Sequence, residues 1–237
     1  MRRIGTLAIV LAICAPLSAC GSSSSQPPFA RSPKAALASI VAAALAQQSV
    51  HWKGSTSADL YGTDHSTADV NADSGATRLT YYGHAMDTRL VDGTVYVRGA
   101  PTLLMPNLSL TQAEATHYAG RWISSPRGDK LYGDLSSGLT LASIVHGAAW
   151  LFDQPRSGLK VLRRTSRGTR LLVLRAPAWP HVFSNLTARA SGKPLPIAYT
   201  LANGLMDFRY GHFSKWNEPV SVQAPARSTP IATVRRG

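Results

Sequence analysis

The sequence predicts an α+β domain in which a curved antiparallel sheet carries helices on its concave, apolar face. Three observations support this fold class: an alanine-rich helical pattern near residue 34, many short segments with apolar residues at every second position, and a second helical pattern between two groups of these segments. Because a long antiparallel sheet curls and buries one face, we expect the two helical regions to cover that face.

The N-terminus has the layout of a secretory signal peptide. Arg2 and Arg3 precede an apolar run over residues 4–15, which small residues separate from Cys20. The run is shorter than the roughly 20 apolar residues that a membrane-spanning helix needs. We therefore expect residues 1–19 to be a signal peptide that is removed.

Residues Leu17-Ser18-Ala19-Cys20 resemble the lipobox of bacterial lipoproteins. The resemblance implies that the thiol of Cys20 carries a diacylglycerol and becomes the first residue of the mature protein. Several acyl chains hold a protein firmly at a bilayer. We expect a lipoprotein anchored at the extracytoplasmic face of the cell membrane, the alternative being an ordinary signal peptide whose cysteine is incidental.

The remaining chain divides into a tether and one domain. Residues 20–33 are rich in serine and proline and predict a flexible spacer. Residues 34–237 are long enough for a single domain with its own core. The domain has no cysteine beyond Cys20, which excludes disulfides and thiolate metal sites within it.

The chain is strongly basic, with a formal net charge of +13. Such a charge attracts anionic surfaces, and an exported protein meets lipid headgroups more often than nucleic acid. The densest basic cluster surrounds a predicted hairpin with Gly168 in its turn, and its candidate headgroup-binding residues are Arg163, Arg164, Arg167 and Arg170. The alternatives are an exposed ribbon without a ligand and a charge that only keeps the domain soluble.

Helix signals are clearest at the start of the domain. Ser32 and Pro33 predict an N-cap and a first turn, followed by a helix over 34–48. A second helical region is predicted over 129–152. The proline-containing segment 100–119 predicts a loop with a helical turn near 111–115.

Strands are predicted from period-two patterns at residues 50–57, 67–72, 77–82, 86–91, 94–98, 120–124, 159–164, 170–175, 182–188, 195–201, 205–210 and 220–223. Asp92-Gly93 predicts a two-residue hairpin turn, and so does Asn203-Gly204. The second turn would place Tyr199 opposite Phe208 on the apolar side of the sheet.

The order of these features resembles the LppX and LprG type of actinobacterial lipoprotein, which is similar in fold to the carrier LolA. The motifs are Gly120-Arg121-Trp122-Ile123 before a helical segment and a tail with Tyr210-Gly211, Trp216-Asn217-Glu218-Pro219-Val220 and Ala224-Pro225. The resemblance implies a half-barrel whose helices enclose a hydrophobic cavity for acylated lipids. It also implies that Trp122 is a structural strand residue.

Candidate cavity residues come from sheet and helix faces that we expect to point inward. They are Tyr81, Val95, Val97, Ile144, Val145, Tyr199, Met206 and Phe208. The alternative for each is an ordinary core residue, because cores and apolar sites use the same side chains.

Catalytic motifs are absent from the sequence: there is no Gly-x-Ser-x-Gly, His-Glu-x-x-His or phosphate loop, and no histidine pair has metal-ligand spacing. We therefore expect a monomeric protein without cofactor, metal or nucleic acid that binds or transfers lipids. The alternative is an interaction protein of the cell envelope with a filled core and a basic docking surface.

Overall fold

The structure, a computed structural model, describes residues 32–58, 62–154, 158–179, 182–203 and 207–235. The helices are α1 (Pro33–Leu45), α2 (Pro101–Leu108), α3 (Gln112–His117), α4 (Tyr132–Ser136), α5 (Leu141–Asp153) and α6 (Ile231–Val234). The strands are β1 (Ser49–Ala58), β2 (Gly62–Asn71), β3 (Gly75–Tyr81), β4 (His84–Val91), β5 (Thr94–Gly99), β6 (Ile123–Pro126), β7 (Lys160–Ser166), β8 (Thr169–Trp179), β9 (Val182–Arg189), β10 (Pro196–Asn203), β11 (Asp207–Ser214) and β12 (Thr229–Pro230).

All the described strands belong to one open sheet of 12 strands, in the order β12-β6-β5-β4-β3-β2-β1-β11-β10-β9-β8-β7. Every pair is antiparallel except β12 and β6, which are parallel. The sheet is not closed into a barrel, so β7 and β12 are its edges. The predicted α+β class with a large antiparallel sheet is confirmed.

Short sequence motifs correctly predicted the start of the first helix and two hairpin turns. The Ser32 hydroxyl accepts a hydrogen bond from the Ala35 N–H at 3.1 Å, and Pro33 occupies the first turn of α1, as expected from the sequence. Asp92 and Gly93 have φ values of 49° and 71° and join β4 to β5 through the predicted two-residue turn. The predicted turn at Gly168 likewise joins β7 to β8.

Helices cover one face of the sheet, called here the inner face, in two groups. Helices α1 and α5 lie over β1, β2, β8 and β9, where Ile40, Val145 and Leu174 are buried. Helices α2, α3 and α4 lie over β4 to β6, where Leu104 and Val97 are buried. Since each group has its own apolar cluster, a boundary between the two helical groups crosses the inner face.

The segment 100–119 was predicted as a loop with a helical turn near 111–115. The helical turn is confirmed by α3, whereas the loop before it is wrong, because Pro101–Leu108 forms α2. Pro101 occupies the first turn of α2, where its missing N–H costs no helical hydrogen bond. Thr111 and Glu114 form a capping box that begins α3. Pro101 and Pro106 favoured the prediction of a loop, although the leucines of α2 are buried against the sheet.

The predicted register of the β10–β11 hairpin is wrong by three positions. Ala202 pairs with Phe208 and Tyr199 pairs with Gly211. Gly204 of the predicted turn lies outside the described residues. Because an odd shift reverses the faces of a strand, Phe208 lies on the outer face, where its ring stacks against Tyr210 at 6.3 Å.

The C-terminal strap, residues 215–235, runs along the sheet from β11 to β6. It was predicted to contain a strand at 220–223, which is wrong, because there the strap makes isolated hydrogen bonds to side chains. Asn71 Nδ2 donates to the Val220 carbonyl at 3.3 Å, and Arg89 Nη1 donates to the Gln223 carbonyl at 3.0 Å. The strap then pairs as β12 with β6 and ends in α6.

Trp122 lies between two arginines just before β6. The guanidinium carbons of Arg89 and Arg98 are each 4.7 Å from its ring centroid. Asp87 holds Arg98 and Arg78 through ion pairs of 2.7 and 2.8 Å. Trp122 therefore joins β4 and β5 through cation–π contacts on the outer face, and hydrogen bonds from Arg89 to the Gln223 carbonyl and from the Thr229 N–H to the Trp122 carbonyl connect it with the strap.

Candidate functional site

A cleft of about 360 Å³ lies at the boundary between the two helical groups. Its floor is the inner face of β1 to β4 and β10. Its walls come from α2, α4 and α5, and from the segment that connects α4 to α5. The floor residues include Trp52, Ser66, Thr77, Leu79, Met86, Thr88 and Tyr199. The wall residues include Asn107, Asp134, Leu135, Ser137, Gly138, Ser143, Ile144, Gly147 and Ala148.

Two glycines beside the floor leave space on the inner face, and the rings of the floor residues Trp52 and Tyr199 occupy it. Gly54 of β1 pairs with Gly211 of β11. A Cβ on Gly54 would lie 2.2 Å from the ring of Trp52, and a Cβ on Gly211 would lie 2.2 Å from the ring of Tyr199. The rings therefore lie directly against backbone that carries no side chain, and the centre of the inner face is partly filled.

Tyr199 is the titratable group whose surroundings are most unusual within the described residues. Burial raises the pKa of its hydroxyl to about 12, and the neighbouring Trp52 indole and Arg209 guanidinium oppose this rise only in part. The indole nitrogen of Trp52 is buried and makes no hydrogen bond of normal geometry to the described residues. The floor thus contains polar atoms without the hydration that they would have in water.

This pKa makes the stability of the domain depend on alkaline pH. In the unfolded chain the phenol ionises near 10, whereas in the folded protein it stays neutral until about 12. Stability from this group is fully present below pH 10 and is lost as pH rises towards 12, by about 2–3 kcal/mol. Urea unfolding at pH 9 and pH 11.5 should show this loss, and Tyr199→Phe should remove it.

The matched control is Tyr210→Phe, since Tyr210 lies on the outer face of β11 and is 44% exposed. This variant should lose as much stability at alkaline pH as the unmodified protein. An equal alkaline loss in Tyr199→Phe would show that Tyr199 is not the group responsible.

The structure brings only some of the predicted cavity residues to the cleft. Ile144 lies in its wall and Tyr199 in its floor. Val95, Val97 and Val145 are buried in the packed core instead, with exposures of 0%, 1% and 3%. None of the three lines the cleft.

The three other predicted cavity residues have different positions. Tyr81 is half-buried at the end of β3, against the apolar cluster beneath α2. Phe208 lies on the outer face because of the register shift described above. Met206 lies outside the described residues, as does Cys20.

Sequence reasoning missed most of the cleft. Trp52 and Gly211 belong to strands whose inner face could be assigned only once their register was known. Gly147 lies inside α5 at the mouth of the cleft, where a Cβ would meet no atom within 4 Å. The only available signal was the glycine itself, because an exposed glycine inside an apolar helix is unfavourable.

A second and larger hollow, the polar groove, has a volume of about 1130 Å³ and opens at the end of the sheet where β1 starts. Most of its lining is polar and includes Gln47, Asn71, Asp73, Asp92, Arg127 and Thr140. Ser137 and Ser143 line both this groove and the cleft. The polar groove and the smaller cleft therefore adjoin at the start of α5.

The four predicted basic residues lie on the β7–β8 hairpin, and all are exposed. Within the described residues, no three His, Cys, Asp or Glu side chains are grouped so that they could hold a metal ion. No helix of the described residues is long and apolar enough to cross a membrane.

The fold is that of a known structure. LprF from Mycobacterium bovis matches with a TM-score of 0.50 and 12% sequence identity, over 82% of this chain and 97% of that chain. The lipoprotein LppX from Mycobacterium tuberculosis gives 0.47 and 19% identity, over 81% and 100%. A LolA superfamily protein, NE2245 from Nitrosomonas europaea, gives 0.27 and 10% identity, over 80% and 94%.

The likeness to LprF shows that this chain has the fold of that protein, and the fold agrees with the one expected from the sequence. No protein-family model and no curated protein matches the chain.

Proposed function

We propose that this protein is an extracytoplasmic lipoprotein, anchored through Cys20, that binds or transfers an amphiphile without chemical change. The observation that carries the proposal is the cleft of about 360 Å³ between the two helical groups. Its volume is at the lower end of the roughly 300–1,000 Å³ typical of ligand sites. We therefore infer that it takes one hydrocarbon chain rather than a lipid with several.

The neighbouring polar groove supplies the other half of an amphiphile site. An acyl chain would contact Leu79, Met86, Leu135 and Ile144 in the cleft. The polar end of the same molecule would then pass Ser137 and Ser143 into the groove, where it remains hydrated. This arrangement buries the hydrocarbon and leaves the headgroup in water, which is the favourable partition for such a molecule.

The lipid content of the purified protein tests the proposal. A chain of residues 20–237 with Cys20→Ala keeps every described residue and removes the acylated thiol. After expression in bacteria, solvent extraction and mass spectrometry should recover about one lipid or other amphiphile per protein. An extract without lipid from folded protein would contradict the proposal.

Gly147→Phe should empty the cleft without unfolding the domain. Position 147 is helical and exposed, and a Cβ there meets no atom within 4 Å, so a phenylalanine ring can extend into the mouth of the cleft. We expect the amount of bound lipid to fall at least about fivefold. The lipid-to-protein ratio measured by mass spectrometry checks this.

The control for this variant is Ala142→Phe, which places the same ring on an exposed position of α5 that lines neither hollow. It should retain the lipid. If both variants lose lipid equally, the loss reflects the added ring and not the cleft.

A second candidate function is an interaction protein of the cell envelope. The observation that favours it is the partial filling of the inner face by Trp52 and Tyr199, together with the exposed basic hairpin. A folded protein that yields no lipid would support this function instead.

A further inference from the structure

The end of the sheet formed by β7 to β10 carries positive charges that no acidic residue of the same region balances. Residues 154–206 contain no aspartate or glutamate, although the chain has 12 of them, and they contain nine lysines and arginines. These are Arg156, Lys160, Arg163, Arg164, Arg167, Arg170, Arg175, Arg189 and Lys193. The ion pairs found among the described residues all lie elsewhere in the molecule.

Four of these residues form what we call the basic ribbon: Arg163, Arg164, Arg167 and Arg170. Arg163 is opposite Leu172 and Arg170 is opposite Thr165, which places both on the inner side of the hairpin. Arg164, opposite Leu171, lies on the outer side, and Arg167 is in the turn with φ of 48°. All four are exposed, and none of their guanidinium groups makes an ion pair or a side-chain hydrogen bond with the described residues.

The arrangement fits an extended anionic plane better than one phosphate group. The four guanidinium groups point to both sides of the hairpin and to its tip, so they do not converge on a single point. A cleft of about 280 Å³ on the hairpin also includes Leu171 and Leu172, and it gives the charges apolar neighbours. No aromatic side chain, on which a nucleic-acid base could stack, is present between residues 159 and 175.

Helix α1 brings the N-terminal segment to the same side of the domain. It packs against β7 and β8, and its first turns bury Ala36 and Leu37 in the cluster that contains Leu172. Residues 20–31 precede the first described residue, and 12 residues span at most about 40 Å. If Cys20 is anchored, as the proposed function states, the basic ribbon stays within reach of the bilayer.

We propose that the basic ribbon is the surface on which the domain rests against an anionic lipid bilayer. Each arginine is attracted to the negative surface potential of acidic headgroups, and the attraction weakens as salt screens it. The half-buried side chain of Leu162 lies beside these charges on the outer side of β7 and can enter the headgroup layer, whereas Val161 packs against the core. The ribbon thus orients the domain, while the anchor determines only its distance from the membrane.

The test uses the Cys20→Ala chain of residues 20–237 and vesicles of phosphatidylcholine with 30 mol% phosphatidylglycerol. Sedimentation should show binding at low salt that is lost at 0.5 M NaCl and with pure phosphatidylcholine. Replacing all four ribbon arginines by glutamine should weaken binding at least about tenfold, since each charge near the surface contributes roughly fivefold.

The matched control removes four charges from elsewhere. Lys53, Arg121, Lys130 and Arg227 are exposed and make no ion pair among the described residues. Their replacement by glutamine gives the same net charge and should weaken binding less than about threefold. An equal loss in both variants would show that only net charge matters and would overturn the proposal.

A third variant, with lysine at the four ribbon positions, separates surface docking from a shaped phosphate site. A planar surface should accept lysine with little loss, whereas a bidentate arginine site would not. Loss of binding in the lysine variant would contradict the proposal, and so would tighter binding to a single-stranded oligonucleotide than to the vesicles. Lipid extraction from the same proteins reports separately on the amphiphile site, so either proposal can fail alone.

Discussion

Replacing Phe213 by alanine should lower the free energy of unfolding by about 3–5 kcal/mol. The side chain is 3% exposed on the inner face of β11. Its ring stacks on Trp216 at 5.8 Å and lies 6.0 Å from Tyr199. The substitution leaves a cavity between α5 and the sheet and removes both aromatic contacts, which explains the large effect.

Phe208→Ala is the control, because Phe208 lies on the same strand and faces the other side of the sheet. We expect this variant to lose about 1 kcal/mol. Equilibrium unfolding in urea, followed by circular dichroism, measures both values. Equal losses at the two positions would be inconsistent with the register described here and would support the alternative in which Phe208 points inward.

Gly211→Ala should lower the free energy of unfolding by about 2–3 kcal/mol, although it adds only one methyl group. The new Cβ would lie 2.2 Å from the Tyr199 ring and 2.7 Å from Trp52 Nε1. Both rings must move away from the sheet, towards the cleft, and overpacking of this kind costs about 1–3 kcal/mol. Thermal and urea unfolding measure the loss, and lipid extraction should show a lower lipid content.

The same change at Gly147 provides the contrast. A Cβ there meets no atom within 4 Å, and alanine is favoured over glycine inside a helix. Gly147→Ala should therefore raise the free energy of unfolding by about 0.5–1 kcal/mol. A neutral Gly211→Ala variant would mean that Trp52 and Tyr199 do not rest on the paired glycines.

Much of the fold could be predicted from local chemistry. The N-cap at Ser32, the alternation along the strands and the Asp92-Gly93 turn are short-range signals, and each was interpreted correctly. The Asn203-Gly204 pair has the same turn chemistry, but the register of the β10–β11 hairpin is a different one, in which Tyr199 pairs with Gly211. That pairing gives the Tyr199 ring a flat surface without a Cβ, a tertiary contact that the turn residues do not encode.

The cleft could not be predicted for a related reason. Its floor combines residues from five strands, and its walls come from three helices, so its position depends on the register of every pair between them. Individual apolar residues such as Val95 and Val97 carry the same pattern whether they line a space or fill a core. Only the contacts of the helices distinguish the two.

Because β7 is an edge strand, it affects how copies of the protein meet at high concentration. An edge strand exposes backbone N–H and C=O groups that can pair with another chain. At high concentration, copies of the protein would meet edge to edge, but each would approach with exposed guanidinium groups such as those of Arg163 and Arg164. Their mutual repulsion opposes polymerisation through this strand, so the charges that we propose to attract lipid would also keep neighbouring molecules apart.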